Sequence, residues 1–335
     1  MNKLTRGQFL KKKPLALLVI IALLVAVSYT TLTYVQDGDF QLVVLHTNDV
    51  HSHIDQYDRN GTECQAYEMA ENGCFGGAAR QKTMIEQIRA EGGNVVLLDA
   101  GDQFDSNVLF FDHYKEKAIL EMMNALGYEA MVAGNNEFDG GLDTLIRFID
   151  GANFPVLSAN LNTDAMPTLA GKILPYTVLE IGGEKIGVVG YSVLLALPDS
   201  EESIQTAIDE LTAQGINKIL GVSHVGLDTD REIAAAVTGL DVVVTGHSHT
   251  YLSNTDPLAI DSYPVVIQAP DGKPVLLVSA SDWGRYLGRL DVTFDADGVV
   301  TKYSGGPILL DGNVVQDPDI AARVDELAAP LREDQ

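Results

Sequence analysis

Five apolar runs along the chain each end in a short polar cluster of Asp, Asn and His residues. The runs are about three to six residues long and mostly Val, Leu, Ile, Met or Ala, which is typical of buried strands. Their sequences are LVVLHTNDVH (42–51), NVVLLDAGD (94–102), EAMVAGNNE (129–137), KILGVSHVG (218–226) and DVVVTGHSH (241–249). Because ligand-binding residues collect past the carboxyl ends of such strands, the pattern predicts one site assembled from five strand ends.

Strand and helix patterns alternate along most of the chain, and its last third is rich in strands. Helical periodicity predicts helices at 77–90, 115–126, 141–150, 201–213, 229–238 and 318–332. Further strands are predicted at 155–159, 264–268, 274–279, 286–294 and 299–303, with a hairpin at 174–179 and 185–190. This order predicts an α/β architecture with two stacked sheets and one catalytic domain over about 40–310. The segment 318–335 is interpreted as a linker helix toward a C-terminal domain that is absent from this chain.

The first 28 residues predict a signal peptide or a membrane anchor. Five Lys or Arg residues and no acid precede the apolar run 14–27, and Ala26-Val27-Ser28 offers small residues for cleavage after Ser28. The run is short for a spanning helix, which needs about 20 apolar residues, but extending it through Leu32 allows a retained anchor. Both alternatives predict an exported protein of the periplasm or cell surface. Membrane contact is expected only through this segment, if it stays uncleaved.

The remainder of the chain is strongly acidic. The formal charge of the whole chain is −25, and residues 1–28 hold five of the 22 bases and none of the 47 acids, so the rest carries −30. An acidic surface repels the phosphate backbones of DNA and RNA, which argues against a nucleic-acid partner. The hydrophobic fraction of 46% is that of a globular chain.

The chain has two cysteines, Cys64 and Cys74. An even number in an exported chain suggests one disulfide. A cysteine metal site is the weaker alternative, because there is no third cysteine and no histidine lies between the two.

Seven side chains in the five polar clusters are candidate metal ligands. They are Asp49, His51, Asp102, Asn135, His224, His247 and His249. Taken singly, each is more typical of a turn, a helix cap or a packed histidine, so the prediction depends on their coincidence. A mixed oxygen and nitrogen set suits Zn²⁺, Mn²⁺, Co²⁺ or Fe²⁺ but not copper(I). Seven ligands exceed one four-coordinate ion and fit two divalent ions that share a bridging carboxylate.

These motifs, in this order, resemble the calcineurin-like metallophosphoesterase superfamily. LHTNDVHSH, AGNNEFD and TGHSHT are similar to the 5′-nucleotidase family, over roughly residues 40–310. The resemblance implies a four-layer α/β/β/α sandwich, and hydrolysis of a small-molecule nucleotide phosphate ester by metal-activated water, of the 5′-nucleotidase or UDP-sugar hydrolase type. It also implies that Asp102 bridges two ions, and that some members carry a disulfide where Cys64 and Cys74 stand. The resemblance assigns the remaining ligands as follows. Asp49, His51 and His249 bind one ion, and Asn135, His224 and His247 bind the other.

One departure from the family pattern affects the candidate catalytic residues, Asn136 and Asp139. The family usually has a histidine at the position of Asn136, and that histidine pairs with the aspartate at the position of Asp139. An amide can donate a hydrogen bond to a phosphoryl oxygen but cannot transfer a proton, and losing acid assistance costs about 10²–10⁴ in rate. The alternative hypothesis is therefore a weakly active or inactive metal- or phosphate-binding fragment.

A second departure is length: family members usually carry a second domain that binds the base between aromatic side chains, and this chain is expected to be either a fragment or a single-domain member. Trp283, with Arg285 and Tyr286, could substitute for that domain, although a packed turn between two strands is the favoured interpretation. Of the other histidines, His46 is expected to pack or to hydrogen-bond near the site. His53 is a possible pocket residue that more often would simply pack, and His113 is expected in an exposed loop.

Overall fold

The computed structural model describes residues 38–162, 164–193 and 200–333. The chain divides into two units, Met1–Asp39 and Phe40–Gln335, and the fold reported below is that of the second. The predicted signal peptide or anchor, residues 1–28, lies outside the described residues. Within those residues, every helix is too short or too polar to cross a membrane.

Two six-stranded sheets form the centre of the fold. The first sheet has the order β12 (Val300–Leu309), β11 (Tyr286–Phe294), β1 (Phe40–Thr47), β2 (Val95–Asp99), β3 (Ala130–Val132) and β4 (Val156–Leu157). The second has the order β5 (Tyr176–Ile181), β6 (Glu184–Ser192), β7 (Ile219–His224), β8 (Val242–Thr245), β10 (Pro274–Val278) and β9 (Val265–Gln268). Strands β1 to β4 run parallel, as do β6, β7, β8 and β10. The carboxyl ends of each parallel set therefore meet at one edge of their sheet.

Helices cover the outer faces of both sheets, except for the short α1, which buries no residue. The helices are α1 (Ala66–Ala70), α2 (Ala78–Ala90), α3 (Leu109–Tyr114), α4 (Glu116–Leu126), α5 (Leu142–Gly151), α6 (Ser200–Ala213), α7 (Leu227–Ala236) and α8 (Pro318–Glu333). Apolar residues of α2, α4, α5 and α8 belong to one core with the first sheet, and those of α6 and α7 belong to the core that joins the two sheets. The predicted four-layer α/β/β/α sandwich is confirmed.

The alternation of side chains along β1 explains how one strand serves both cores. Leu42 and Val44 belong to the core between the sheets, whereas Leu45 belongs to the core under the helices. Successive side chains of a strand point to opposite faces, so a strand covered on both sides has to be apolar throughout. This is why the parallel strands appear in the sequence as unbroken apolar runs.

Several element boundaries differ from the prediction. Strand β12 continues to Leu309 instead of ending at 303, and it pairs only with β11, so it is an edge strand that tolerates the Gly305-Gly306-Pro307 sequence. Strand β4 contains only two of the five predicted residues. The expectation of a loop at His113 was wrong, since this exposed residue lies in α3.

The last helix, α8, is present as predicted and packs against the first helical layer. Tyr114 donates a hydrogen bond of 2.9 Å to the carbonyl of Leu327, and Arg323 pairs with Glu121 at 2.6 Å. Val324 of the same helix is buried. The helix is thus part of the folded unit, and its role as a linker stays a prediction.

The predicted disulfide between Cys64 and Cys74 is present, and both residues are buried. The loop that it closes contains the short helix α1, which the sequence pattern did not predict. Beside this loop, the Arg285 guanidinium lies over the Phe75 ring at 4.2 Å from its centroid. The disulfide therefore holds a small structured loop.

Candidate metal centre

All seven predicted ligands lie at the carboxyl ends of parallel strands. Asp49 and His51 follow β1, Asp102 follows β2 and Asn135 follows β3, all in the first sheet, whereas His224 ends β7 and His247 and His249 follow β8 in the second. The loops after β1 and β2 are joined by backbone hydrogen bonds of 2.9 Å, from Asp49 N to Gly101 O and from His51 N to Asp102 O. The seven side chains thus follow five strands as predicted, and that they form one metal site stays a prediction.

Six of these residues form two triads, and within each triad the potential ligand atoms lie within 4.8 Å of one another. The first triad consists of Asp49, His51 and His249, and the second of Asp102, His224 and His247. In each triad two residues are buried and the third, from the segment after β8, is exposed. Each triad therefore has a solvent-facing side from which a small molecule can approach.

Hydrogen bonds in the first triad orient its side chains. Asn48 Nδ2 donates to Asp49 Oδ2 at 2.8 Å, and the His247 amide donates to Asp49 Oδ1 at 3.0 Å. The Nε2 atoms of His51 and His249 are 3.0 Å apart, and His249 Nε2 is 3.5 Å from Asp49 Oδ1. Two nitrogens that bind one zinc ion at about 2.1 Å each lie roughly 3.0–3.4 Å apart, depending on the angle between them, so the spacing suits a shared cation.

The second triad and the adjacent Asn135 present an imidazole nitrogen and an amide oxygen that lack hydrogen bonds. His224 Nδ1 donates to the Ala100 carbonyl at 2.6 Å, which leaves Nε2 facing the site. Buried His224 Nε2 lies 3.1 Å from Asp102 Oδ2 without forming a hydrogen bond, and buried Asn135 Oδ1 has no hydrogen-bond partner among the described residues. Buried polar atoms of this kind are rare unless a ligand or ion satisfies them.

Charge within the second triad is strongly coupled. Burial lowers the pKa of His224, but the adjacent Asp102 carboxylate outweighs burial and raises that pKa to about 9. Burial in turn raises the pKa of Asp102, and the neighbouring His224 brings it below its ordinary value. The shift shows that this position favours a positive charge beside Asp102, which a divalent cation would supply.

Five of the seven ligands have left-handed backbone conformations, although none is glycine. The φ angles are 51° at Asp49, 49° at His51, 56° at Asp102, 73° at His247 and 49° at His249. Each such residue costs of the order of 1–3 kcal/mol and persists only when its surroundings determine it. Strain of this kind concentrates at functional sites, which supports this location as the active centre.

Glu137 fixes the loops that carry Asp102 and Asn135. Its carboxylate, which is fully buried, accepts hydrogen bonds from the amides of Asp102 at 3.0 Å, Gln103 at 2.7 Å and Gly134 at 2.5 Å. A Cβ atom at Gly134 would collide with Asp102 and Glu137, so only glycine fits there.

The two candidate catalytic residues have different surroundings. The backbone amide of Asn136 donates a hydrogen bond to Asp102 Oδ1 at 2.8 Å, and the side-chain Nδ2 of Asn136 lies 3.4 Å from His51 Nδ1. Asn136 therefore borders both triads. Asp139 is exposed, and its carboxylate accepts a hydrogen bond from the Ser106 amide at 3.1 Å. The catalytic roles of both residues stay predictions.

His46 and Trp283 pack as the simpler interpretation expected, whereas His53 both stacks on Trp283 and lines a cavity together with Ser52 and Asn107. His46 is fully buried against Tyr263, with 2.9 Å between His46 Nε2 and the hydroxyl. Trp283 stacks on His53 at 4.8 Å between centroids, and a Cβ at Gly61 would collide with the indole. Trp283 is therefore in close contact with protein groups rather than standing free to stack on a base.

Sequence reasoning missed several polar side chains that support the ligands. Asn48 is one of them, and its position beside Asp49 in the same polar cluster was a usable signal. Asp282 is another: its Oδ2 lies 3.3 Å from His249 Nδ1. Nothing in the sequence distinguishes this aspartate from the many acids in loops, because the contact arises only in the folded chain.

A family model described as calcineurin-like phosphoesterase matches residues 42–251, which include all seven predicted ligands. The chain belongs to the calcineurin-like phosphoesterase family. Among its relatives, a snake venom 5′-nucleotidase of Gloydius brevicauda is 38% identical over 330 residues, covering 93% of this chain and 55% of that protein. A human 5′-nucleotidase is 38% identical over 307 residues, covering 86% and 53%. This phosphoesterase chain thus spans little more than half the length of these relatives.

Solved structures agree with this assignment. A 5′-nucleotidase precursor from Thermus thermophilus superposes with a TM-score of 0.79 at 35% identity, covering 88% of this chain and 59% of that one. A Haemophilus influenzae NAD nucleotidase gives a TM-score of 0.72 at 28% identity, covering 82% and 51%. The phosphoesterase fold and the two triads together indicate a centre for divalent metal ions.

Proposed function

We propose that this chain hydrolyses nucleotide phosphate esters at a centre of two divalent metal ions. The observation that carries the proposal is the pair of triads, each combining one carboxylate with two imidazoles. Similarity to 5′-nucleotidases supports a nucleotide as the substrate class.

The family resemblance implies how the residues would divide between the two ions. Asp49, His51 and His249 would hold one ion, and Asp102 would contribute to both. Asn135, His224 and His247 would hold the second, and the unpartnered buried atoms of Asn135 and His224 support that assignment. When bound, such ions act as Lewis acids on a phosphoryl group and lower the pKa of an attacking water. Zn²⁺, Mn²⁺, Co²⁺ and Fe²⁺ all suit this set of donors.

Asn136 sets the expected limit on the rate. Its position beside both triads allows the side-chain amide of Asn136 to donate a hydrogen bond to a substrate phosphoryl oxygen. A neutral amide cannot protonate the leaving group, so esters with a poor leaving group, such as a nucleoside alkoxide, should react slowly. An activated ester such as p-nitrophenyl phosphate needs no such proton and should react faster.

We also propose an exported location and a linker role for residues 318–335. The basic and apolar N-terminal segment and the buried disulfide support export. The linker role is supported by the position of α8 after the last strand of the first sheet.

The test is hydrolysis of AMP beside p-nitrophenyl phosphate by the purified chain, with Mn²⁺ or Zn²⁺ added and with EDTA. We expect metal-dependent release of phosphate from both esters, with AMP the slower substrate. The variant Asp102→Asn should lose at least about 100-fold in rate, because it removes a buried carboxylate charge that would help to hold both ions. Asp319→Asn, an exposed acid in the first turn of α8, is the matched control and should keep the rate.

The same assay can refute the proposal. If the chain binds two ions per molecule by metal analysis and cleaves neither ester, the hydrolase function is wrong and a binding function replaces it. If hydrolysis persists unchanged in Asp102→Asn, the activity comes from another site.

A further inference from the structure

His249 differs from His224 in the group that lies behind its ring. The Nδ1 atom of His249 lies 3.3 Å from Asp282 Oδ2, while its Nε2 atom faces His51 and Asp49. The two atoms are within ion-pairing distance, and because a carboxylate oxygen can only accept a hydrogen bond, Asp282 favours the proton on Nδ1 and leaves Nε2 to the triad. Asp282 therefore determines which nitrogen of His249 is available to a cation.

Asp282 is itself held in place by the loop that carries the first triad. Its Oδ1 atom accepts a hydrogen bond from Ser281 Oγ at 3.1 Å. The next residue, Trp283, donates its amide to the Asp49 carbonyl at 2.7 Å, and Asn48 accepts from the Ala280 amide at 2.9 Å. The segment 280–283 is thus fastened to Asp49, the first ligand, and to the residue before it.

In the second triad, the group behind the His224 ring is neutral. Nδ1 of His224 donates to the backbone carbonyl of Ala100, not to a side chain. A carboxylate behind a ligand imidazole raises the basicity of the ligating nitrogen more than a carbonyl does. His249 also has a side chain 42% exposed, so packing alone does not fix its ring, whereas His224 is fully buried.

We propose that Asp282 is a positioning residue that sets the affinity of the first triad for its metal ion by orienting His249. The inference rests on the proposed metal centre and makes the two metal positions unequal. One position is supported by a carboxylate behind an exposed imidazole, and the other by a carbonyl behind a buried imidazole. Removing Asp282 should therefore weaken the binding of one ion and leave the binding of the other unchanged.

The test compares Asp282→Ala and Asp282→Asn with the unaltered full chain by titration calorimetry, using Zn²⁺ added to protein freed of metal. Asp282→Ala removes both the charge and the acceptor, and we expect one of two binding steps to weaken by about 10–100-fold. Asp282→Asn retains an acceptor oxygen and should weaken the same step less. Asp319→Asn again controls for loss of one negative charge at a distance.

A spectroscopic measurement separates orientation of the ring from general damage. In zinc-loaded protein with ¹⁵N-labelled histidine, the Nδ1 proton of His249 should be protected from exchange and visible by NMR. It should be lost to exchange in Asp282→Ala and retained in Asp282→Asn. Melting temperatures in EDTA should agree among the variants, which shows that folding is intact.

Three results would overturn the inference. One is unchanged affinity for both ions in Asp282→Ala, and another is equal weakening of both steps, which would indicate a general structural role. The third is an Nδ1 proton that stays protected in Asp282→Ala. If the unaltered chain binds no zinc, the proposed metal centre fails as well, and calorimetry of that chain alone distinguishes this case.

Discussion

Replacing Glu137 with alanine should destabilise the protein more than the loss of most other carboxylates. Glu137 is fully buried, and its two oxygens accept hydrogen bonds from the amides of Asp102, Gln103 and Gly134. The side chain thereby joins the loop after β2 to the loop after β3. Alanine would leave three backbone donors without an acceptor in a region from which water is excluded.

The expected magnitude follows from these three donors. A buried donor left unsatisfied costs roughly 1–3 kcal/mol, so the free energy of unfolding should fall by at least about 3 kcal/mol. With an unfolding entropy of about 2.1 cal/mol/K per residue, this corresponds to a melting temperature lower by roughly 5 °C for a unit of this size. The cavity left by the side chain can only add to the loss.

Thermal unfolding in EDTA measures this effect without a contribution from bound metal. The matched control is Glu129→Ala, because Glu129 accepts one backbone hydrogen bond, from Leu97 at 2.7 Å, and is about one-third exposed. Losing one partly solvated acceptor should cost roughly 1 kcal/mol and therefore about 2 °C. If Glu137→Ala lowers the melting temperature no more than Glu129→Ala, the account of Glu137 as a support for two ligand loops is refuted.

Three further predictions concern catalysis, pH and metal. Asn136→His should raise the turnover of AMP more than that of p-nitrophenyl phosphate, up to about 10²-fold, and steady-state rates that stay equal would mean that the amide is not limiting. Burial raises the pKa of Asp241 from 3.8 to about 8. Between pH 3.8 and pH 8 the folded chain therefore holds a proton that the unfolded chain releases, so the free energy of unfolding falls as the pH rises. Melting curves of Asp241→Asn from about pH 5 to pH 8 should decline less than those of the unaltered chain, and parallel curves would contradict this assignment. Chelation of metal should lower the melting temperature by several degrees, because an ion at about 100 times its Kd stabilises by roughly 2.7 kcal/mol; an identical melting temperature with EDTA would argue against a metal centre.

The positions of the ligands could be predicted because they depend on local sequence. A strand buried on both faces has to be apolar, and the chain leaves the sheet where that run ends, so Asp49, Asp102 and His247 are found by the end of the apolar pattern. Parallel pairing then brings the ends together without further information. The same reasoning placed β11 at its observed bounds.

Elements with weak local patterns were not predictable in this way. The extension of β12 over Gly305, Gly306 and Pro307 contains residues that usually end a strand, and it is stabilised by pairing with β11 along the whole length. The two short helices α1 and α3 have fewer than two turns, too few for a hydrophobic period to be recognised. In each case tertiary contacts, not propensity, determine the structure.

The supporting contacts of the site were the least accessible to sequence reasoning. Whether an acid in a loop caps a turn, pairs with a surface base or holds a ligand depends on which loop lies opposite. Asp282 contacts His249 because strand β10 brings its loop next to the segment after β8. The left-handed backbone at five ligands was equally hidden, since none of the five is glycine.

The distribution of the triads over two sheets has a consequence for the order of folding. The first triad takes two residues from the first sheet and one from the second, and the second triad takes one from the first and two from the second. A half-folded chain with a single completed sheet therefore possesses neither triad. Each triad is complete only when the two sheets have docked, so a cation can contact all three side chains of either triad only in the fully folded unit.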